Sequence, residues 1–322
     1  MPTILLTNNY SSIPLSIIYN VVPIGFNLIK LETLSEEELI KKIPLADYLL
    51  VSGRLSINKR ILDFANKLKM IQRTGVGTDM LDKEAIKRKE IPLYVNKGIN
   101  ANGVAEHTLL LILSSLRKTT LINLNVKKGI WNKQATGLST HELKGKTVGL
   151  VGMGSVGQRV AELLLPFKVN LLYSDVQRLP KEKEEKLNIR YTQFQYLIEK
   201  SDIITLHCAL TTQTRNIIGE KEIHQMKDDV IIINTARGKL IDELALIEGL
   251  KSGKVSFAGL DVFSNEPIGE NSPLYQLENV ILTPHIGGVT NEAFHDMMKE
   301  AMHNIVLFEN KQFEDIQNKR LL

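Results

Sequence analysis

The stretch from Thr147 to Asp175, TVGLVGMGSVGQRVAELLLPFKVNLLYSD, decides the fold. It begins with a short apolar run, Val148 to Val151, which is typical of a buried strand. Three glycines in the spacing G-x-G-x-x-G follow, and Gln158 to Phe167 then has the pattern of an amphipathic helix. A second apolar run, Asn170 to Tyr173, leads to the aspartate. The order of strand, glycine turn, helix, strand and acid predicts a dinucleotide-binding unit.

Each glycine of this turn has a physical reason. Gly152 lets the chain turn, Gly154 lets the backbone approach a pyrophosphate, and Gly157 lets the helix pack closely on the strand. The amides and the dipole of the first helical turn attract phosphates. Asp175 lies about 20 residues further on, where a carboxylate accepts hydrogen bonds from a ribose diol and repels a 2′-phosphate. We therefore expect NAD, while the nearby Arg178 leaves NADP open.

Length and composition are those of a globular protein with two domains of ordinary size. The chain has 322 residues, of which 43% are hydrophobic and 24% charged, and its formal net charge is +4 at pH 7. Lysines are interspersed with glutamates, as in the KEKEEK sequence at 181–186, which favours a solvated face over a nucleic-acid footprint. We expect no nucleic-acid partner and no bound metal ion.

Cysteine usage and the apolar runs bear on location. The single cysteine, Cys208, excludes an intramolecular disulfide and suits a reducing compartment. The first residues, MPTILLTNNYSS, lack the pattern of a secretion signal, and the most apolar run, Leu109 to Leu113, is far too short to cross a bilayer. The sequence therefore predicts a cytoplasmic protein with no membrane association.

Short apolar runs alternate with helical patterns along the whole chain, which predicts an α/β fold of parallel sheets with helices on both faces. Besides the two strands around the glycine turn, the predicted strands are 3–6, 27–31, 48–51, 70–71, 93–95, 203–206, 230–233, 257–260 and 280–282. The other predicted helices are 35–42, 58–67, 81–89, 101–118, 242–252 and 291–310. Ser35 and Glu38 have the spacing of a capping box at the start of the first of these helices.

Two Rossmann- or flavodoxin-like βα domains with a cleft between them fit this pattern. The long apolar helix at 101–118 leads from the first domain to the second, and we interpret it as the connector. The final helix has no strand of the second domain left to follow, so we expect it to pack on the first domain. The expected domains are 1–100 plus 289–322 for the substrate and 101–288 for the dinucleotide.

Three features outside the strands leave alternatives open. The loop Arg73 to Asp79, RTGVGTD, could present backbone amides to an anion or could be a turn that uses glycine. Residues 119–146, which include Trp131, could be an arm against another subunit or a surface loop. His107 lies on the connecting helix, where a lone histidine is usually structural.

Polar residues follow every strand of the second domain after the glycine unit. In open α/β sheets, ligands bind beyond the carboxyl ends of the strands. The segments at those ends are HCALT at 207–211, NTARG at 234–238, DVFSNEP at 261–267 and TPHIGG at 283–288. We therefore expect one Arg, one Asp, one Glu and one His to lie together where the nicotinamide binds.

These four residues suit hydride transfer at an alcohol carbon. His285 is the natural acid/base because imidazole titrates near neutrality. Glu266 is the candidate for orienting it and stabilising the imidazolium. Arg237 carries a planar fork of donors suited to a substrate carboxylate next to the reacting carbon, and it would also polarise a carbonyl. Asp261 could hold the cofactor carboxamide.

The sequence resembles the D-isomer-specific 2-hydroxyacid dehydrogenase family over nearly its entire length. The resemblance is carried by the segments VGLVGMGSVG, INTARGKLIDE, LDVFSNEP and TPHIGG, with RTGVGTD and VAEHTLLLIL upstream. It implies a catalytic trio of Arg237, Glu266 and His285, a substrate domain made from both chain ends, and a homodimer built through the cofactor domains. It also implies that the Val76-Gly77 backbone contacts the substrate carboxylate. By the same resemblance, NAD contacts Ser155, Val156, Asp175, Ala209, Thr214, Thr235, Asp261 and Thr108.

Some positions depart from particular members of that family. No C-terminal regulatory domain of the phosphoglycerate dehydrogenase type is expected, and in the loop 51–54 Ser52 rather than Arg54 stands where a phosphate-binding arginine would lie. Candidate substrates are 3-phosphoglycerate, glyoxylate, hydroxypyruvate, pyruvate (D-lactate) and branched 2-oxo acids. Glu266 argues against the formate dehydrogenase branch. The alternatives are an NAD(H)-sensing corepressor-type protein and an enzyme that takes hydride from a non-carbon donor such as phosphite.

Overall fold

A computed structural model describes residues 1–53 and 55–322, and within them strands and helices alternate along the chain. The strands are β1 (Thr3–Leu6), β2 (Asn27–Lys30), β3 (Tyr48–Val51), β4 (Met70–Arg73), β5 (Leu93–Val95), β6 (Thr147–Val151), β7 (Asn170–Ser174), β8 (Ile189–Tyr191), β9 (Ile203–Leu206), β10 (Val230–Asn234), β11 (Val255–Leu260) and β12 (Val280–Leu282). The helices are α1 (Ser12–Val21), α2 (Glu36–Lys42), α3 (Lys59–Leu62), α4 (Lys83–Arg88), α5 (Ala101–Leu116), α6 (Thr119–Lys127), α7 (Lys133–Leu138), α8 (Ser155–Leu164), α9 (Lys181–Lys186), α10 (Phe194–Lys200), α11 (Glu220–Gln225), α12 (Glu243–Ser252), α13 (Asn291–Glu309) and α14 (Phe313–Ile316).

The chain divides into two compact units, and the first consists of Met1–Asn100 with Thr290–Leu322. Its sheet has five parallel strands in the order β2-β1-β3-β4-β5. Successive side chains of β1 point to opposite faces, as the period of a strand requires. Leu5 packs in one hydrophobic core with residues of α2, α3 and α4. Ile4 and Leu6 pack on the other face, in a core that includes residues of α13.

Helix α13 supplies much of the second of those cores. Its buried apolar residues recur at helical spacing along one face: Ala293, Phe294, Met297, Met298, Ala301, Met302 and Ile305. The Thr290 hydroxyl caps the helix by accepting a hydrogen bond from the amide of Ala293 at 3.1 Å. The side-chain amide of Asn96, at the end of β5, donates to the carbonyl of Met297 at 2.8 Å. This buried polar contact fixes the register of the helix on the sheet.

The second unit, Ala101–Val289, is built on seven parallel strands in the order β12-β11-β10-β9-β6-β7-β8. Val148 and Leu150 of β6 pack with α5 and α8 on one face of this sheet. Val151 packs with α10, α11 and α12 on the other face. Burial on both faces explains why these strands are continuous apolar runs rather than alternating ones.

The structure confirms the expected α/β class with parallel sheets, and it corrects several local expectations. Helix α8 begins at Ser155, directly after Gly154, rather than at Gln158. Residues 119–146, for which an arm against another subunit and a surface loop were both left open, contain two helices, α6 and α7. Glu38 does not complete a capping box, because its carboxylate accepts hydrogen bonds from the amides of Glu32 and Thr33. Across 1–53 and 55–322, no helix is both long and apolar enough to cross a membrane.

Candidate active site

Every strand of the seven-stranded sheet is parallel to its neighbours, so all their carboxyl ends lie at one edge. The predicted site residues follow these ends in an order set by the sheet. His285 follows β12, Asp261 and Glu266 follow β11, and Arg237 follows β10. The glycine turn follows β6 and Asp175 follows β7. The sheet therefore collects on one edge residues that are far apart in sequence.

The imidazole of His285 contacts the carboxylate of Glu266 directly. The distance from Nδ1 of His285 to Oε2 of Glu266 is 2.7 Å, and Oε1 of Glu266 accepts a hydrogen bond from the amide of Phe263 at 3.0 Å. The side chain of Glu266 is 14% exposed and that of His285 is 38% exposed. Because an ionised carboxylate only accepts hydrogen bonds, Nδ1 carries the proton of this contact and Nε2 is the nitrogen left for chemistry.

The backbone of His285 lies in the left-handed region, with φ at +59°. For a residue other than glycine this conformation costs roughly 1–2 kcal/mol. Its amide donates to the carbonyl of Thr283 at 2.9 Å, which makes a tight turn at the end of β12. Strained conformations of this kind persist only where surrounding contacts hold them, and they are common at functional sites.

Asp261 is almost completely buried directly after β11. Its carboxylate accepts hydrogen bonds from the Thr283 hydroxyl and from the amides of Ile286 and Gly287, at 2.6 to 2.9 Å. Burial by itself raises the pKa of Asp261. The nearby His107 ring, the Thr283 hydroxyl and these two amides outweigh burial, so the pKa of Asp261 lies below its ordinary value.

Arg237 follows β10 and is half-buried. Its carbonyl accepts a hydrogen bond from the side-chain amide of Asn234 at 2.9 Å, which shapes the turn that presents the guanidinium. The next residue, Gly238, packs against the loop that precedes Glu266. A Cβ at this glycine would lie 1.9 Å from the carbonyl carbon of Phe263, so only glycine fits. The segments carrying Arg237 and Glu266 are thus in backbone contact.

The glycine turn after β6 has the shape that a dinucleotide requires. Gly152 has φ of +100°, and a Cβ there would lie 2.5 Å from the amide nitrogen of Cys208. A Cβ on Gly157 would lie 2.2 Å from the carbonyl oxygen of Gly152. At Gly154 no atom lies within 4 Å of the Cβ position, which leaves open space in front of the first turn of α8. An NAD pyrophosphate fits this open position, while the other two glycines close the turn.

Asp175 lies beside that turn. Its Oδ2 accepts a hydrogen bond from the amide of Met153 at 2.6 Å, and Oδ1 accepts one from the amide of Gln177 at 2.9 Å. Ser155 and Val156, which the resemblance names for the cofactor, follow Gly154 and form the start of α8. The carboxylate of Asp175 is therefore held next to the glycine turn, in the position expected of a group that binds the ribose.

Arg178 has a defined partner close to Asp175. Its Nε and Nη2 donate to the two carboxylate oxygens of Glu184, both at 2.9 Å. Hydrogen bonds from Arg178 and from the hydroxyl of Tyr173 hold the pKa of Glu184 down to about 2. The guanidinium also lies over the ring of Tyr191, with its central carbon 5.4 Å from the ring centre. Arg178 is thus bound within its own domain by a bidentate ion pair.

The remaining residues named for the cofactor pair with one another within the second unit. The hydroxyls of Thr108 and Thr235 lie 2.9 Å apart and join α5 to the end of β10. The Thr214 hydroxyl donates to the carbonyl of Ala209 at 2.6 Å and closes the loop after β9. His207 precedes this loop. Burial lowers its pKa to about 3, which favours the neutral imidazole.

In the first unit, the loop after β4 contains Val76 and Gly77. Nε of Arg73 donates to the carbonyl of Gly77 at 2.9 Å, and Nη1 donates to the carbonyl of Val51 at 3.0 Å. The guanidinium thus braces the loop, and Val76 at its tip is 51% exposed. Ser52 is buried and its hydroxyl pairs with that of Tyr10. The Arg54 considered for phosphate binding lies outside the described residues.

Fold and site together define an α/β protein that binds a dinucleotide and carries a histidine–carboxylate pair at the same sheet edge. The model of the family "D-isomer specific 2-hydroxyacid dehydrogenase, NAD binding domain" matches residues 109–287, more than half of the chain. Two further residues lie beside Asp261: Thr283, to which the sequence analysis gave no role, and His107, which it interpreted as structural. No residue pattern indicated that either of them lies next to this carboxylate.

Known relatives agree with the family match. A hydroxypyruvate reductase from Thermotoga maritima is 42% identical over 264 residues, covering 81% of this chain and 84% of the relative. A D-3-phosphoglycerate dehydrogenase from Archaeoglobus fulgidus is 38% identical over 261 residues, and the match spans 49% of that longer protein. The chain thus covers about half the length of the latter relative.

The solved structure of D-lactate dehydrogenase from Aquifex aeolicus, complexed with NAD and lactic acid, has a TM-score of 0.86 to this chain at 28% identity. The similarity covers 99% of this chain and 98% of the other. The chain belongs to the D-isomer-specific 2-hydroxyacid dehydrogenase family, which confirms the resemblance found in the sequence. The relatives favour an NAD-dependent dehydrogenase over a corepressor-type binding protein.

Gly154→Ala tests whether the open position before α8 receives a pyrophosphate. The added methyl meets no protein atom, so we expect wild-type stability in urea. It would enter the space of the pyrophosphate, so NADH affinity, measured by fluorescence titration, should fall by about tenfold or more. Gly137→Ala in α7 is the matched control, because its Cβ position is also open, and it should bind NADH normally. Unchanged NADH affinity in Gly154→Ala would show that the pyrophosphate does not bind at this turn.

Proposed function

We propose that the protein is an NAD-dependent dehydrogenase that interconverts a small D-2-hydroxy acid and its 2-oxo acid. The observation that carries the proposal is the His285–Glu266 pair, which lies at the same sheet edge as the glycine turn. Family membership supports the reaction class. In this proposal Arg237, Glu266 and His285 are the catalytic residues, and residues 101–288 form the cofactor domain.

The proton of the reaction moves at Nε2 of His285. When NADH is bound, the nicotinamide would supply the hydride that reduces C2 of the 2-oxo acid, and the C=O double bond would become a C–OH single bond. His285, protonated on both nitrogens, donates the Nε2 proton to the carbonyl oxygen and becomes neutral. Glu266 keeps the other proton on Nδ1 and stabilises the charged imidazolium that precedes the transfer. Oxidation of the hydroxy acid runs the same transfers in reverse.

Arg237 and the Val76-Gly77 backbone are proposed as the substrate-binding groups. A guanidinium binds a carboxylate in a bidentate manner, and it would place C2 of the acid beside the imidazole. The loop of Val76 and Gly77 is braced by Arg73, so its tip is preorganised. The substrates in the names of the relatives, hydroxypyruvate and D-3-phosphoglycerate, are candidates, together with glyoxylate and pyruvate.

We propose that NAD rather than NADP is the preferred cofactor. The carboxylate of Asp175 would accept hydrogen bonds from a ribose diol and would repel a 2′-phosphate. Arg178 is the cation that could offset this repulsion. Its bidentate contact with Glu184 and its position over Tyr191 engage it elsewhere. Both contacts support a preference for NAD.

A homodimer is proposed on the basis of α6 and α7. No residue of either helix is buried within the chain. Apolar side chains nevertheless stand exposed along this segment: Leu124, Val126, Ile130, Trp131 and Leu138. Exposed apolar surface of this extent marks a protein interface. A second copy of the chain would cover this apolar surface.

The cytoplasmic location stays a prediction that cell fractionation would check.

His285→Ala tests the catalytic assignment. We expect the wild type to oxidise NADH with at least one acid from a panel of glyoxylate, hydroxypyruvate, pyruvate, branched 2-oxo acids and phosphohydroxypyruvate. The variant should lose roughly 10²- to 10⁴-fold in kcat/KM because it lacks the proton donor, while NADH binding is retained. His295→Ala, at an exposed histidine of α13, is the control and should keep full activity. Near-normal turnover of His285→Ala would remove this residue from its role, and a wild type inactive with every acid would contradict the dehydrogenase.

Asp175→Ala tests the preference for NAD. The ratio of kcat/KM for NADH to that for NADPH should fall by about tenfold or more, because the repulsion of the 2′-phosphate is lost. Adding Glu184→Gln should lower the ratio further, since the substitution releases Arg178 to bind the phosphate. Glu185→Gln, at an exposed neighbour, is the control and should leave the ratio unchanged. An unchanged ratio in Asp175→Ala would show that the carboxylate does not face the ribose.

Leu138→Asp tests the proposed dimer surface. Light scattering after size exclusion should give twice the 36.2 kDa chain mass for the wild type and a lower mass for the variant, because a buried charge opposes association. Leu244→Asp introduces the same charge at an exposed leucine of α12 and should leave the mass unchanged. A monomeric wild type, or a fully dimeric Leu138→Asp, would contradict the proposed interface.

A further inference from the structure

The segment 283–287 must hold the imidazole of His285 in place although its backbone adopts an unfavourable conformation. In the part of the chain that the structure describes, the side chain of His285 has one hydrogen-bond partner, Glu266. Nε2 of His285 has no hydrogen-bond partner within residues 1–53 and 55–322, so the side chain alone does not fix the backbone conformation. The groups that hold φ at +59° are therefore to be found around the main chain of this segment.

Asp261 provides three of the contacts that hold the 283–287 segment. Oδ1 accepts hydrogen bonds from the Thr283 hydroxyl at 2.6 Å and from the Ile286 amide at 2.9 Å. Oδ2 accepts one from the Gly287 amide at 2.8 Å. The donors lie on both sides of His285 in the chain. One carboxylate thus clamps the two ends of the turn that carries the imidazole.

Helix α5 extends this clamp through His107. Nε2 of His107 lies 3.0 Å from Oγ1 of Thr283 and 3.5 Å from Oδ1 of Asp261. The hydroxyl of Thr283 gives its only hydrogen to the carboxylate, so it can only accept from the imidazole. Nε2 of His107 must therefore carry a hydrogen. The direction of donation is His107 to Thr283 to Asp261.

We propose that His107, Thr283 and Asp261 form a positioning unit that sets the backbone, and with it the imidazole, of His285. Asp261 then acts on His285 through the 283–287 segment, in addition to any contact with the cofactor carboxamide. Both of its oxygens accept hydrogen bonds from that segment, and its side chain is only 2% exposed. This inference rests on the proposed catalytic role of His285.

The expected consequence is a loss of turnover without a loss of cofactor binding. Proton transfer requires the imidazole within hydrogen-bond distance of the substrate oxygen, and a displacement of about 1 Å can lower the rate about 100-fold. Removal of a purely structural contact would instead lower stability and leave the turnover of the folded protein unchanged. The two roles therefore give different patterns of kcat, NADH affinity and unfolding midpoint.

Thr283→Val tests the unit, because it removes the hydroxyl and keeps the branched shape. We expect kcat to fall by about tenfold or more, with the dissociation constant for NADH within about twofold of wild type. Thr283→Ser restores the hydroxyl and should recover most of the turnover. In ¹⁵N NMR of labelled histidine, His107 should be protonated on Nε2 in the wild type, and the His285 signals should shift in Thr283→Val.

Thr283→Val with wild-type kcat and unshifted His285 signals would overturn the proposal, as would a His107 protonated only on Nδ1. If Thr283→Val does not fold, His107→Leu removes the donor from the other side, and His107→Gln retains one. A wild type that reduces no 2-oxo acid would contradict the proposed function instead. The NMR measurements would then still decide whether the three residues set the position of His285.

Discussion

The 2.7 Å contact between Nδ1 of His285 and Oε2 of Glu266 is the interaction on which the proposed function depends. It decides which ring nitrogen stays protonated and which one, in the proposed mechanism, exchanges a proton with the substrate. Glu266 is itself held by the amide of Phe263, so the pair has little freedom to rotate. A histidine with one nitrogen fixed in this way is oriented before the substrate arrives, which lowers the reorganisation needed in the transition state.

The parallel sheet makes this contact possible. In the pairing of β11 with β12, Leu260 is opposite Leu282, so Asp261 and Thr283 leave the sheet side by side. Their hydrogen bond follows from that register. Glu266 lies five residues after Asp261 and His285 lies two residues after Thr283. Strand β10, beside β11, adds Arg237 at the same edge. A slip of the register by one residue would separate these pairs.

Much of the fold and of the site could be predicted from the sequence, because buried parallel strands are continuous apolar runs and ligands bind at their carboxyl ends. The glycine turn and the segments after β10, β11 and β12 were recognised on that basis. Helix α8 was predicted to start too late, because its first residues are glycine, serine and valine without a clear apolar face. Helices α6 and α7 were missed because they bury nothing within the chain and so show weak periodicity.

The hydrogen bonds of Asp261 could not be obtained from spacing, because a carboxylate after a strand suits a cofactor amide and a backbone clamp equally well. The structure is needed to show that its oxygens accept from Thr283, Ile286 and Gly287. The same holds for His107, since a histidine on a packed helix carries no sign of which donor or acceptor it meets. Contacts between residues far apart in sequence depend on strand register, which residue patterns alone do not determine.

Transfer of deuterium from NADH labelled at both C4 positions tests the central claim most directly. The labelled cofactor is incubated with the protein and pyruvate, hydroxypyruvate or another accepted 2-oxo acid, and the product is analysed by NMR and chiral chromatography. We predict one deuterium at C2 of the D-2-hydroxy acid for each NADH oxidised. Oxidation of NADH without deuterium at C2, or formation of the L-hydroxy acid, would contradict a D-2-hydroxyacid dehydrogenase.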